Sequence, residues 1–182
     1  MIIRAPWAGA VHEAGHAVVS WHLGFLVDVV SIRPGEETSG HMGDTPDFCL
    51  DAERDDRCSE RETHERAAVV CYAGLASESL FDVGAYDWSE AAHHGAWEDH
   101  RIAREEHLAL VYGAEEIEAA IERCRALALD CVAQHRADIR RLAEALIEFE
   151  TLTDCEIEHV LGVPSVAASV GAEQLRNRRA AR

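Results

Sequence analysis

From Ser59 to Gly162 the residues fall into helical periods almost without interruption, and this restricts the chain to a mainly α architecture. Ala67, Val70, Cys71, Leu75 and Leu80 supply the apolar face of a helix ending near Phe81. Ser89 is placed to cap a helix that runs to about Val111, with Gly113 marking its end. Ile117, Ile121, Cys124, Ala128, Cys131 and His135 recur at spacings of four and three, and Ile139, Leu142, Ala143, Leu146 and Phe149 repeat the pattern. Thr153 with Glu156 forms a capping box that opens a last short helix, stopped by Gly162. At the other end, Pro6 suits an early helical position, no breaker except Gly9 and Gly15 interrupts Ala8 to Leu23, and Gly24 suits a left-handed cap. Phe25 to Ile32 is rich in Val and Ile and reads as a strand before the turn Arg33-Pro34-Gly35, with Ser39 to Gly43 as a short return strand. The expected fold is therefore mainly α with a small β-hairpin or short sheet. Residues 1–162 form the domain, and residues 163–182, with four Arg against one Glu, form a basic tail, mobile or lying on the acidic body.

Composition narrows the function classes. A chain of 182 residues buries a core of its own without disulfides or metal staples. Its net charge of -17 repels phosphate backbones and anionic lipids, so neither nucleic acid nor a membrane surface is an expected partner. All seventeen basic residues are Arg; the absence of Lys removes a standard phosphate-binding P-loop and all catalytic-lysine chemistry. No apolar stretch approaches a bilayer span, and none at the N-terminus has the length of an export signal. The six cysteines show no C-x-x-C spacing and read as thiols of a reducing, cytoplasmic compartment, with Cys124 and Cys131 on one helix face.

The chemistry concentrates in the first helix, at His12-Glu13-Ala14-Gly15-His16. Histidines four residues apart stand one turn apart on one face, where both imidazoles reach a single metal ion. Glu13 lies beside them, positioned to take a proton from an attacking water without ligating. Imidazole suits zinc, and a catalytic zinc takes three protein ligands. Chance is a poor explanation: with eleven His and twenty-two Glu, roughly 0.08 accidental matches to this pattern are expected in the chain. The third ligand must come from elsewhere, and Glu78, His93, His94, Asp99 and His100 all stay open on residue type alone. His22, six residues after His16, is out of phase with the metal face and reads as structural.

His12 to Val19 resembles the active-site helix of the peptidase domain of FtsH-type proteases, the membrane-bound AAA+ zinc metallopeptidases. Val27 to Pro34 looks like the short strand that follows it there. Ala73-Gly74-Leu75-Ala76-Ser77-Glu78 resembles that family's Gly-Arg-Ala-Ala-Glu segment, with Leu75 replacing the Arg. Gly95-Ala96-Trp97-Glu98-Asp99 resembles its Gly-Ala-x-Asn-Asp segment, with Glu98 replacing the Asn and His100 an apolar residue. Glu150-Thr151-Leu152 and Glu156-Ile157 look like its closing helical segment. The likeness spans about residues 8 to 162. It implies a zinc-peptidase helical domain with His12, His16 and Asp99 as ligands, Glu78 as runner-up third ligand, and Glu13 as catalytic base. It also implies peptides or unfolded proteins as substrates. The family's ATPase module and membrane anchor have no counterpart in these residues, so hydrolysis is expected to be ATP-independent in isolation. A separate ATPase acting in trans, an oligomer, or a non-catalytic metal-binding module on the same fold are the alternatives.

Overall fold

A computed structural model describes residues 6–33, 41–42, 59–83, 97–163 and 166–181. The elements run α1 (Pro6–Leu23), β1 (Val29–Ser31), β2 (His41–Met42), α2 (Glu60–Leu80) and α3 (Trp97–Arg101). Helix α3 continues into a π-helical segment (Ile102–Leu108) and α4 (Ala109–Val111). Then come α5 (Ile117–Gln134), α6 (Arg136–Phe149), β3 (Thr151–Thr153), α7 (Asp154–Leu161) and α8 (Val166–Ala180). The mainly helical architecture with a small antiparallel sheet follows the expectation.

Helix α2 is the centre. It packs against α1, α5 and the π segment, while α6 covers the other side of α1. Every residue of α2 from Ala67 to Glu78 is buried, so that stretch has no solvent face and the one-sided apolar stripe expected of it is replaced there by burial all round. Ser59 caps the helix start reciprocally with Glu62, a second capping box carried by the Ser-Glu-Arg-Glu sequence. The closeness of α1 to α2 depends on Gly15: a Cβ there would lie 2.8 Å from the Ala73 carbonyl oxygen and closer still to Ser77 Oγ. Around this pair, Val11, Val18, Val19, Tyr72, Ile121, Leu142 and Leu146 form the fully buried core. Gly24 (φ 88°) and Gly162 (φ 76°) adopt the left-handed caps expected of them.

Four elements depart from the sequence reading. The strand expected over Phe25 to Ile32 is confined to Val29–Ser31. It lies between two antiparallel partners, in the order β2-β1-β3, with Val30 opposite both Met42 and Leu152. Strand β3 is the second departure, because Thr151 and Leu152 were expected in a closing helical segment. Glu150 takes φ 63° and its N–H closes the last turn of α6 on Leu146 O, after which β-branched Thr151 and Thr153 extend along β1. Third, the helix expected up to Val111 is described only from Trp97 and widens to π over Ile102–Leu108; Ser89 lies outside the described residues.

The fourth departure is the C-terminus: of the two expectations, a mobile tail or one lying on the acidic body, the second holds, and the segment is the helix α8 against α7. Leu175 is buried, and a Cβ on Gly171 would overlap the Cys155 carbonyl. Arg178 reaches Glu156, 3% exposed, at 2.9 Å and also donates to the carbonyls of Phe149 and Thr151. The positive charge of the tail is thus used to satisfy a buried carboxylate, the last carbonyl of α6 and a carbonyl of β3. Cys71 and Cys124 are buried free thiols, Cys131 and Cys155 are half-buried, and Cys49 and Cys58 lie outside the described residues. Among the described residues, no helix is long and apolar enough to cross a membrane.

Candidate metal centre

Helix α1 presents His12 and His16 toward α2, and both side chains are buried. Their rings meet edge to face with centroids 4.7 Å apart. The two Nε2 atoms lie 3.0 Å from each other, and Asp99 Oδ2, from α3, lies 3.2 Å from His12 Nε2 and 3.6 Å from His16 Nε2. Three donor atoms from two helices far apart in sequence therefore surround one point. A tetrahedral ion about 2.0–2.1 Å from each donor spaces its donors by about 3.3 Å, and the observed separations bracket that value.

The outer nitrogens decide what the inner ones can do. His16 Nδ1 lies 2.8 Å from the Val70 carbonyl, which only accepts, so Nδ1 carries the hydrogen. His12 Nδ1 likewise donates to Glu78 Oε1 at 2.6 Å. With both hydrogens directed outward, both neutral imidazoles turn their Nε2 lone pairs inward, toward a carboxylate oxygen. Asp99 Oδ2 is itself buried and makes no hydrogen bond of ordinary geometry. Three lone-pair donors facing one another in a buried place repel unless a cation stands among them. The proton serves where no metal does. Burial lowers the His12 pKa, but the close Asp99 carboxylate, the Glu78 hydrogen bond and the charge of Glu13 outweigh it and push it up to about 10. Burial raises Asp99, yet the His16 charge and the closeness of both imidazoles hold it well below the usual carboxylate range.

The backbone leaves room at this point. A Cβ on Gly74 of α2 would lie 2.7 Å from His12 Nε2 and closer to His16 Nε2, so Gly74 alone keeps the space between the rings open. Glu13 is buried on α1 next to His12, and its charge acts on that ring. His12, His16 and Asp99 thus form a group that could hold a metal ion, and the donor set, the buried carboxylate oxygen and the glycine-lined space all fit one.

Of the other ligand candidates, Glu78 sits behind His12 as its hydrogen-bond acceptor rather than beside the donor atoms. His100 turns to the other side of α3, where its Nδ1 meets the Tyr72 hydroxyl at 3.0 Å. His93 and His94 lie outside the described residues. Sequence reasoning missed Val70, whose backbone carbonyl orients His16. A backbone acceptor leaves no sequence signal. Comparison with protein-family models gives no match for this chain, and comparison with curated proteins gives none.

Proposed function

We propose that the chain is a zinc metallopeptidase with an FtsH-like peptidase fold, acting on peptides or unfolded proteins without ATP. One observation carries this reading above the others. The H-E-x-x-H helix and Asp99 converge three lone-pair donors at a buried point where only a cation relieves their repulsion, with the Glu13 carboxylate adjoining. Zinc, when held by His12, His16 and Asp99, supplies a Lewis acid that polarises a carbonyl and brings the pKa of water toward neutrality. The chain's own part is positional and protic. Glu78 and the Val70 carbonyl hold the two imidazoles in the metal-binding tautomer. Glu13 accepts the proton of the attacking water and passes it to the nitrogen of the departing amine. Glu13 is buried beside His12 in sequence, and its charge acts on that ring.

The test combines metal analysis with digestion. Purified chain should carry about one zinc at this centre, and casein should be cleaved equally with and without ATP-magnesium. Glu13→Gln should keep the zinc and lose hydrolysis by at least about a hundredfold, the scale of a general base. A zinc-loaded wild type inert toward peptides overturns the peptidase reading in favour of a metal-binding module.

A further inference from the structure

A second cluster of metal-binding groups lies at the far end of α1. His22 in its last turn, His135 between α5 and α6, and Asp138 in the first turn of α6 bring their ligand atoms within 4.8 Å of one another. Asp138 Oδ2 is 3.4 Å from His22 Nε2 and 3.8 Å from His135 Nδ1. The two imidazoles stack, with centroids 3.5 Å apart and planes 15° from parallel. Asp138 gives its other oxygen, Oδ1, to Arg141 at 2.5 Å, which fixes the carboxylate and leaves Oδ2 toward the rings.

We infer that His22, His135 and Asp138 form a second site for a divalent transition-metal ion, separate from the centre on His12, His16 and Asp99. Two imidazoles and a carboxylate are the donor set that zinc, cobalt and nickel share. The carboxylate-to-nitrogen separations stand within about 0.5 Å of the 3.3 Å of a tetrahedral ion. The near-parallel rings do not yet aim at one point. Rotation of the half-exposed His22 ring about its broad terminal torsion turns its lone pair toward the Oδ2 side. α1 and α5 both end at this cluster and α6 begins there, so the positive pole of α6 offsets one of the two negative helix poles and a single negative pole remains on the side of a cation. Arg141, already paired with Oδ1, is the main competitor. An ion here would tie the end of the helix that carries His12 and His16 to the α5–α6 corner. Because no residue is shared, this inference does not rest on the peptidase reading.

The experiment is a calorimetric zinc titration of chelator-stripped full chain, with circular dichroism confirming that each variant is folded. Wild type should take up two equivalents, the second weaker because the site is half exposed. His22→Ala combined with His135→Ala should take up one. Asp138→Asn should weaken the second equivalent at least about tenfold. His16→Ala should remove the other equivalent and leave this one. Unchanged stoichiometry and affinity in the double His variant overturn the inference, as does a wild type with a single equivalent that the double variant retains. A single equivalent lost in the double variant and kept in His16→Ala supports it, and overturns the metal centre of the proposed function instead.

Discussion

Replacing Gly74 by Ala adds one methyl group at the one place where the ligand geometry has no slack. That methyl carbon would stand 2.7 Å from His12 Nε2, whereas ordinary contact begins at 3.4 Å, so the His12 ring must retreat by at least 0.7 Å and the His16 ring by more. Neither ring can retreat freely, because His12 is held from behind by Glu78 at 2.6 Å and His16 by the Val70 carbonyl at 2.8 Å. The methyl also occupies space between the Nε2 atoms. Displacement approaching 1 Å at a preorganised site costs on the order of a hundredfold, and Gly74→Ala should lose at least that much zinc affinity. Its fold should survive, because Ala in a helix interior gains up to about 1 kcal/mol over Gly. Gly15→Ala is the contrasting case. Its methyl meets the backbone oxygen of Ala73 at 2.8 Å, and backbone cannot swing aside. Overpacking of this kind costs about 1–3 kcal/mol, a fall in Tm of about 2–12 °C in a chain of this size. Competition against a chromophoric chelator measures the affinity, and a thermal melt followed by circular dichroism measures the fold. A folded Gly74→Ala protein that binds zinc within threefold of wild type refutes the geometry.

Three further outcomes are expected. Glu78→Gln should lower zinc affinity about 10–100-fold without removing the site, because the ring stays oriented while the ligand becomes less basic; chelator competition reads it, and an unchanged affinity shows Glu78 to be a bystander. Arg178→Ala should lower stability by about 2–3 kcal/mol, below the 3–5 of a fully buried pair because Arg178 is 35% exposed, and a urea titration showing no loss detaches α8 from the stability of the domain. Burial and the charge of His64 push the His107 pKa down to about 4. Between about 6.5 and 4 the unfolded chain therefore binds the extra proton, and stability falls as pH falls through that window. His107→Gln should flatten that part of the urea midpoint profile, and identical slopes in the two proteins dismiss the effect.

The features legible in the sequence were those written in local chemistry. The five residues His12 to His16 fix their own mutual geometry once they are helical, and Thr153 with Glu156 closes a capping box within four residues. Asp99 came into view through the likeness of its segment to a known family, and the structure places it against both imidazoles. The unread features depend on what comes near from a distance. Glu78 reads as a runner-up ligand, and its actual place behind His12 follows only once the buried half of α2 is seen against α1. Three-residue β3 carries too short a pattern to compete with the helical periods around it, and its place is decided by β1, about 120 residues earlier. The charge of Arg178 reads equally well as solubility or as anchorage; the buried Glu156 selects between them.

The wide turn after Asp99 has a consequence for phase. Each residue of an α-helix advances the chain by about 100°, so nine steps would set Asp99 and Leu108 on opposite sides of one continuous rod. Asp99 nevertheless meets the imidazoles of α1, while Leu108 is fully buried and its segment packs on α2. A π segment takes one more residue per turn, which subtracts about 100° of rotation and leaves the two positions about 80° apart. Ile102–Leu108 therefore acts as a phase corrector, letting a single stretch of chain give its first turn to the His12–His16 pair and the remainder to the core.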